Sequence, residues 1–187
     1  MNYSVWYLGA RQRSAAWMER RLVERGHARD VAQRAVRRLE ELDLLNDEAY
    51  AENFVRSKWR QSLWAPRRIA DRAVRQELLA RAVVDEATDK YFGARPFESL
   101  SHPESWREVL QEARVPASVA PLVPHHAEDE QDVGFSRSRE LLEGAQARAR
   151  LTGGMARDTR RRRLASWLQA RGHDWGVVSA VMRVLDL

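Results

Sequence analysis

Clusters of arginine are the side chains of this sequence with the clearest chemistry. Residues 11–38 contain nine arginines and three acidic residues, residues 60–81 contain six and two, and residues 148–163 contain seven and one. The only lysines are Lys58 and Lys90. A guanidinium group is planar and always charged, and it binds phosphate or carboxylate oxygens through paired hydrogen bonds. The clusters predict salt-dependent binding of a polyanion, although an ordinary solvated face explains any single cluster equally well.

Some of these arginines are better placed for binding than others. The apolar residues between 164 and 168 define a buried helical face, so Arg162 and Arg163 are expected to face solvent. Trp64 can stack on a base or on a partner's aromatic ring, or it can pack between units as large aromatic residues usually do. The predicted binding residues, in order of preference, are Arg67, Arg68, Arg72, Arg75, Arg162, Arg163, Arg20 and Arg21, with Trp64 beside them.

Residue types that often catalyse reactions or bind metals form no recognisable motif. The sequence lacks a Gly-Lys-Ser phosphate loop, a GxGxxG motif and an HExxH motif. Gly153-Gly154 is expected to be a turn between helices, because glycine pairs mark loops and no lysine follows. The adjacent His125 and His126 are poorly placed to converge on one ion. We therefore predict a protein that is not an enzyme and binds no metal or cofactor.

The composition is that of a folded protein without disulfides. The chain has 187 residues and a net charge of +5, and its 44% of hydrophobic residues is enough to form a core. The absence of cysteine excludes disulfides and thiolate metal sites. The apolar runs are shorter than the roughly 20 residues that a membrane span needs. We expect a monomeric, cytoplasmic protein that does not bind membranes.

The tripeptide Arg-Gly-His occurs twice, at residues 25–27 and 171–173. Glycine commonly follows the end of a helix, so each copy predicts a helix, a glycine stop and a second helix. His27 and His173 are expected to pack or to bond a carbonyl group near that helix end. An internal repeat of this kind builds extended binding surfaces more often than catalytic pockets. Apolar residues at matching offsets precede the two copies: Met18 and Leu22, and Leu164 and Leu168.

The pattern as a whole predicts an all-α fold. We expect tandem three-helix repeats in an elongated, curved array, with a Pro-rich acidic insert before the third repeat. The predicted units are repeat 1 (1–45), repeat 2 (46–93), the insert (94–134) and repeat 3 (135–187). Within the insert we expect a short helix over about 103–114 and then a loop over 116–134.

Start and stop signals delimit the other predicted helices. Ser14 is expected to cap one helix, Asn46 or Asp47 another, and Pro66 suits a first helical turn. The predicted spans are 3–10, from Ser14 to Gly26, 30–43, 46–62, a helix from Pro66, 80–92, 138–151, 158–171 and 174–185.

The sequence resembles the RecX family of recombination regulators. Most of the chain outside 94–134 carries the resemblance, and residues 39–51, Leu-Glu-Glu-Leu-Asp-Leu-Leu-Asn-Asp-Glu-Ala-Tyr-Ala, are its most specific part. Three positions depart from the family's usual residues: Trp17, where a Glu is usual, Asn46, where an Asp is common, and Glu77, where a helix-ending Gly is usual. The other matching segments are Arg13-Ser14 with Met18, Leu22 and Gly26; Phe54-Val55-Arg56; Pro66-Arg67-Arg68-Ile69; and Leu164–Leu168 with Arg171-Gly172-His173 and residues 177–181.

The resemblance implies a function as well as a fold. RecX proteins are small bacterial regulators that bind the RecA filament on single-stranded DNA and lie in its groove. They restrain its ATP hydrolysis, strand exchange and coprotease activity in recombination, DNA repair and the SOS response. The implied partners are the RecA filament and single-stranded DNA, contacted directly or through RecA. Two alternatives remain open: a RecA-independent, sequence-nonspecific nucleic-acid-binding repeat protein, and a helical scaffold for another protein.

Overall fold

The fold is all-helical, as predicted, throughout the part of the chain that the structure describes. A computed structural model describes residues 12–103, 106 and 130–187. The predicted helices over 3–10 and 103–114, and the loop up to residue 129, lie outside these residues apart from 103 and 106. The helices are α1 (Ala15–Glu24), α2 (Arg29–Glu41), α3 (Asp47–Ser62), α4 (Pro66–Glu77), α5 (Arg81–Phe92), α6 (Glu130–Arg150), α7 (Arg157–Gln169) and α8 (Trp175–Val184), with a 3-10 turn at Glu98–Ser101.

Side-chain caps explain where several helices begin. The Ser14 hydroxyl accepts a hydrogen bond of 3.1 Å from the backbone N–H of Trp17 at the start of α1. Asn46 Oδ1 accepts one of 2.8 Å from the N–H of Ala49 at the start of α3. The carboxylate of Asp174 caps α8 in the same way. Each cap satisfies a backbone donor that has no partner within its own helix, and the predicted cap at Ser14 is confirmed.

The two copies of Arg-Gly-His form the same backbone corner. Gly26 and Gly172 have φ values of 90° and 89°, which glycine adopts without a steric penalty. The backbone N–H of each glycine donates a hydrogen bond to a carbonyl of the last helical turn: Gly26 to Val23 at 2.9 Å and Gly172 to Gln169 at 2.8 Å. The repeat inferred from the sequence is therefore also a repeat in backbone geometry.

The chain forms two compact units. The first contains α1 to α5 up to Tyr91, and the second contains the Leu63–Ala65 segment together with the described residues from Phe92 onward. In the first unit, α1 and α2 enclose one apolar cluster, while α3 and α4 bury large side chains of their own. Its largest fully buried side chains are Met18, Leu39, Val55, Trp59 and Ile69.

The second unit packs α6, α7 and α8 around a separate core. Its buried face repeats at helical spacing on each helix, as an amphipathic helix requires. Trp106 is fully buried and stacks on Phe135 with the ring centroids 4.4 Å apart. The other fully buried side chains of this core include Leu100, Leu141, Leu142, Leu164, Leu168, Val178 and Val181.

Helix α6 begins earlier in the chain than predicted. This helix begins at Glu130 and not near Ser138, so residues 130–134 of the predicted loop are helical. Gly134 indicated a loop, but a Cβ there would lie only 3.3 Å from the carbonyl oxygen of Arg95. The Ser138 hydroxyl also donates a hydrogen bond of 3.0 Å to the carbonyl of Pro96. The glycine allows this close packing within the unit and does not end the helix.

None of the described helices combines the length and the apolar content needed to cross a membrane.

Candidate functional site

The four arginines predicted on α4 are all exposed. The buried residues Ile69 and Ala73 define the inner face of this helix. Arg68, Arg72 and Arg75 share the outer face, because residues at spacings of four and three lie on the same side of a helix. Arg67 and Arg75 form no ion pair with any residue that the structure describes. The first unit therefore presents a cationic helix face, and the binding role of these residues stays a prediction.

Arg20 and Arg21 on α1 share one carboxylate. Arg20 Nε donates to Glu24 at 2.9 Å, and Arg21 Nη1 donates to the other oxygen of Glu24 at 3.1 Å. These two hydrogen bonds lower the pKa of Glu24 below its ordinary value. All three side chains reach solvent, and exposed ion pairs of this kind are weak. A ligand phosphate could displace Glu24, but these arginines are less available than those of α4.

The second unit brings four arginines to one open groove. Arg162 and Arg163, both predicted to bind and to face solvent, are exposed and line a groove of about 700 Å³. Arg148 of α6 and Arg171, after the end of α7, line the same groove. Arg148 belongs to the third arginine cluster but not to the predicted binding residues, and Arg171 is predicted only as part of a helix stop. We call these four side chains and the surface between them the arginine groove.

The sequence of α7 accounts for the position of the groove. Leu164, Ala165 and Leu168 are buried and fix the inner face of the helix. Residues on the opposite side must then face outward, because successive residues turn by about 100° around an α-helix. Besides the arginines, four residues of this outer side line the groove. They are Thr159 and Ser166, which carry hydroxyl groups, Trp167, which carries an indole, and Ala170, which carries a methyl group.

One of the four guanidinium groups is held by its own helix end. Arg171 lies over the ring of Trp167, with the guanidinium carbon 3.8 Å from the ring centroid. Arg171 Nη1 also donates a hydrogen bond of 3.3 Å to the carbonyl of Trp167. A cation over an indole face is attracted by the ring quadrupole, and the contact leaves the charge intact. Arg171 is thus a positioned cation at one edge of the groove.

The residues beside Arg171 hold this corner of the second unit in place. The N–H of Ala65 donates to the carbonyl of Arg171 at 2.9 Å. His173 is buried, and its Nε2–H donates to the carbonyl of Leu63 at 2.9 Å. Burial lowers the pKa of His173, although the bond to Leu63 opposes the shift. The expected carbonyl bond is confirmed for the side chain of His173. The side chain of His27 is exposed, and its backbone N–H donates to the carbonyl of Leu22 at 3.2 Å.

Negative charge is absent from the arginine groove. None of its lining residues is acidic, and Arg148, Arg162 and Arg163 form no ion pair within the described part of the chain. Elsewhere in the same unit Arg139 binds Glu143 at 3.0 Å. Closely spaced cations without carboxylates between them attract and concentrate anions. The arrangement can therefore bind a ligand with several negative charges.

Trp64, the predicted aromatic binding residue, belongs to the Leu63–Ala65 segment of the second unit and is half-buried. It is not among the residues that line the arginine groove. Its proposed stacking role remains a prediction. Among the residues that the structure describes, no group of three or more histidine and acidic side chains could hold a metal ion.

Comparison with known proteins supports the resemblance seen in the sequence. Residues 46–90 match the family model for the second three-helix domain of RecX. The match covers most of the predicted repeat 2 (46–93) and about a quarter of the chain. Among solved structures, the crystal structure of RecX from Lactobacillus salivarius has a similar fold, with a TM-score of 0.63 and 16% identity over 99% of this chain and 93% of that one. No curated protein matches the chain.

Within the segment that matches this domain model, Glu77 has a structural role that explains its departure from glycine. Its buried carboxylate accepts hydrogen bonds from Arg13 Nη1 at 2.9 Å and from the Tyr50 hydroxyl at 2.8 Å. Its carbonyl accepts one from Ser14. Burial, with the negative charge of Glu77 beside it, raises the pKa of Tyr50 to about 12. Leu78 takes the left-handed conformation, with a φ of 56°, that a glycine would otherwise provide.

The other two departures from the RecX pattern also have local partners. Trp17 does not complete a capping box, but the guanidinium of Arg13 lies 4.5 Å from the centroid of its ring. Asn46 caps α3 with its side-chain oxygen, as an aspartate would do. Each departure therefore keeps or replaces a contact that stabilises the RecX fold.

Proposed function

We propose that this chain is a RecX-like regulatory protein that binds the RecA filament on single-stranded DNA. It inhibits the ATPase, strand-exchange and coprotease activities of that filament in recombination, DNA repair and the SOS response. The observation that carries the proposal is the match of residues 46–90 to the second three-helix domain of RecX. The similar fold of a RecX protein over nearly the whole chain supports it.

The outer face of α4 is the first contact surface in this proposal. Arg67, Arg68, Arg72 and Arg75 lie inside the matched domain and are exposed. Guanidinium groups can bind both the phosphates of the DNA and the carboxylates of RecA subunits. Arg162 and Arg163 provide a second surface, and Arg20 and Arg21 a third. Contacts of this type weaken as salt is added.

Inhibition follows from occupancy and needs no chemistry from the chain itself. A protein seated in the filament groove bridges neighbouring RecA subunits and resists the motion that accompanies ATP hydrolysis. It also blocks duplex DNA and protein substrates from entering the groove. In this mechanism the chain acts as a monomer in the cytoplasm, without a cofactor. It needs only to stay folded and to bind the filament.

The test of this function is the ATPase activity of RecA on single-stranded DNA. The chain is titrated from far below one molecule per RecA subunit while phosphate release is followed. We expect suppression at sub-stoichiometric levels, because one bound protein restrains several filament subunits. ATP hydrolysis that is unchanged, with filaments verified by electron microscopy, would contradict the regulatory function and favour one of the two alternatives.

A pair of charge-reversal variants tests the surface on α4. R67E/R68E is expected to weaken inhibition strongly and to leave the thermal midpoint unchanged, because both side chains are exposed. R34E/R38E is the matched control. It changes the net charge equally, also in the first unit, at two arginines that already pair with Asp30 and Glu41. Equal inhibition by R67E/R68E and the unmodified chain would remove this surface from the mechanism.

A further inference from the structure

Leu151 and Met155 expose apolar side chains in the turn that joins α6 to α7. Leu151 is 74% exposed, the most of any large hydrophobic side chain that the structure describes. We infer that this turn, with the pocket beside it, binds a protein surface that carries aliphatic side chains among carboxylates. The inference deepens the proposed function, on which it rests for its partner, by placing that protein surface on the subunits of the RecA filament.

Hydrogen bonds close the turn on itself. The N–H of Thr152 donates to the carbonyl of Ala149 at 3.1 Å, and the N–H of Met155 donates to the carbonyl of Thr152 at 3.0 Å. Thr152 is buried, and its hydroxyl donates to the Ala149 carbonyl at 2.8 Å. Leu151 therefore projects from a turn with its own hydrogen-bonded framework. Binding costs less when the residues that make the contact are already ordered.

An open pocket of about 440 Å³ adjoins the turn at Arg150, the residue before Leu151. This volume is within the range of about 300–1,000 Å³ that is usual for ligand sites. We call the pocket together with Leu151 and Met155 the turn surface. Its pocket shares no described lining residue with the arginine groove. The pocket is lined by Gln146, Ala149 and Arg150 of α6, by Arg160 of α7, and by Leu185 and Leu187 after α8.

The guanidinium groups of the pocket have no acidic partners in the described part of the chain. Arg150 donates to the side-chain oxygen of Gln146 at 3.2 Å, and neither Arg150 nor Arg160 forms an ion pair there. Arg160 Nε is buried without a hydrogen-bond partner among the described residues. A buried donor without an acceptor is unfavourable, and a carboxylate in the pocket would supply the acceptor. The carboxylate of Asp186, between the two leucines, pairs with Arg157 at 3.6 Å.

The apolar groups of the turn surface favour a protein as its ligand. Burial of Leu151 and Met155 is favourable only against other apolar groups, because it must remove apolar surface from water. Nucleic acids bind to apolar residues mostly by stacking bases on aromatic rings, and no aromatic side chain is among the described residues that line the pocket. A membrane is bound by an extended apolar helix face, whereas this turn presents two side chains. An aliphatic side chain with a carboxylate beside it fits both halves of the lining.

Binding to preformed filaments tests the inference. RecA is assembled on oligothymidylate with a non-hydrolysable ATP analogue, and the anisotropy of the fluorescently labelled chain is followed as filaments are added. L151S/M155S is expected to weaken binding about tenfold or more, because burial of one leucine side chain alone is worth about that factor. Its thermal midpoint should not change, since both side chains are exposed.

V23S/V31S is the matched control for the apolar contact. It also replaces two exposed aliphatic side chains, which are 41% and 42% exposed, but it does so in the first unit. It should bind filaments like the unmodified chain. Equal weakening in V23S/V31S would overturn the inference, because it would indicate surface hydrophobicity in general and not the turn surface.

R150Q/R160Q tests for carboxylates on the partner. Filament binding should weaken and should depend less on salt, because two charge–charge contacts are lost. R34Q/R38Q removes the same charge from arginines that pair with Asp30 and Glu41, and it should bind like the unmodified chain. Circular dichroism verifies that both variants are folded. Equal salt dependence in R150Q/R160Q and the unmodified chain would contradict an acidic partner.

Other results would assign the turn surface to a different ligand or to none. Filament binding by L151S/M155S that equals that of the unmodified chain would remove the turn surface from binding. A parallel loss of binding to bare oligothymidylate would indicate a nucleic acid. A parallel loss of binding to phosphatidylglycerol vesicles would indicate a membrane. Each of these three results would overturn the inference.

Filament binding and ATP hydrolysis together separate this inference from the proposed function. If the chain binds filaments through Leu151 and Met155 but leaves ATP hydrolysis by RecA unchanged, the inference holds and inhibition fails. If L151S/M155S binds and inhibits RecA as well as the unmodified chain does, inhibition stands and the inference is wrong. If the unmodified chain does not bind filaments at all, both are wrong.

Discussion

The two Arg-Gly-His corners share a backbone but differ in every side-chain role. Gly26 and Gly172 have φ values that agree within 1°. In the first corner, Arg25 and His27 are exposed. In the second, Arg171 covers an indole face and His173 is buried against the carbonyl of Leu63. Identical tripeptides therefore produce a solvated turn in one unit and part of the lining of the arginine groove in the other.

Comparing the two corners shows which properties of a repeat are set locally. A glycine stop depends on the conformational freedom of one residue and on hydrogen bonds within a few positions, so it recurs with the sequence. The role of the histidine depends on what packs against it. The first unit has no buried histidine at its corner, and its buried polar contacts are made by Arg13, Tyr50 and Glu77 instead. The two units thus place their buried polar contacts at different positions.

The largest effect is expected from Glu77→Ala, which removes the acceptor of the first unit's network. Arg13 would lose its buried partner, and the free energy of unfolding should fall by about 3–5 kcal/mol. Urea denaturation followed by circular dichroism measures the change. Glu143→Ala is the control, because its ion pair with Arg139 is exposed and should contribute about 0–1 kcal/mol. Similar effects of the two substitutions would show that the network does not stabilise the unit.

The next largest effect is a difference in stability between histidine variants of the two Arg-Gly-His corners. His173→Ala leaves the carbonyl of Leu63 without its donor and should cost about 1–3 kcal/mol of unfolding free energy. His27→Ala removes an exposed side chain and should change stability by no more than about 0.5 kcal/mol. Chemical denaturation of both variants gives the comparison. A cost for His27→Ala as large as that for His173→Ala would break the contrast between the corners.

Replacing the glycines tests what the corners share. Gly26→Ala and Gly172→Ala each force a Cβ into the left-handed region, at a cost of about 1–2 kcal/mol. Because the two φ values agree, the costs should also agree, unlike those of the histidine variants. Thermal and urea unfolding of the pair measure them. A large difference would mean that tertiary contacts, and not backbone conformation, select glycine at one of the corners.

The smallest effect concerns acidic pH. The pKa of His173 is lowered in the folded protein, so the unfolded chain, with a pKa near 6.5, binds the proton more readily. This contribution to stability is complete above pH 6.5 and is lost as the pH falls through the pKa of the folded state. His173→Gln, which can still donate to Leu63, should flatten the pH dependence of the unfolding midpoint. His27→Gln should leave the pH dependence of the unfolding midpoint unchanged. A flatter pH dependence in His27→Gln would show that His173 is not the source of the effect.

Much of the fold could be predicted because helices follow local rules. The spans of α3 and α8 match the predicted ones closely, since capping residues and apolar spacing lie within each helix. The predicted start of α6 is wrong because a glycine can mark either a loop or a close contact within a helix. The distance from Gly134 to the carbonyl oxygen of Arg95 shows that the second applies here. The exposure of Arg162 and Arg163 was predictable from the buried face of α7. The presence of Arg148 in the same groove was not, because it lies on another helix.

The helices, the glycine corners, the arginine clusters and the resemblance to RecX follow from the amino-acid sequence alone, because each depends on residues close together in the chain. Which polar groups are buried together depends on the tertiary structure. Arg13 and Glu77 are 64 positions apart, and Leu63 and His173 are 110 apart. A hydrogen bond or an ion pair affects stability most when it is buried, and burial is set by how distant segments pack.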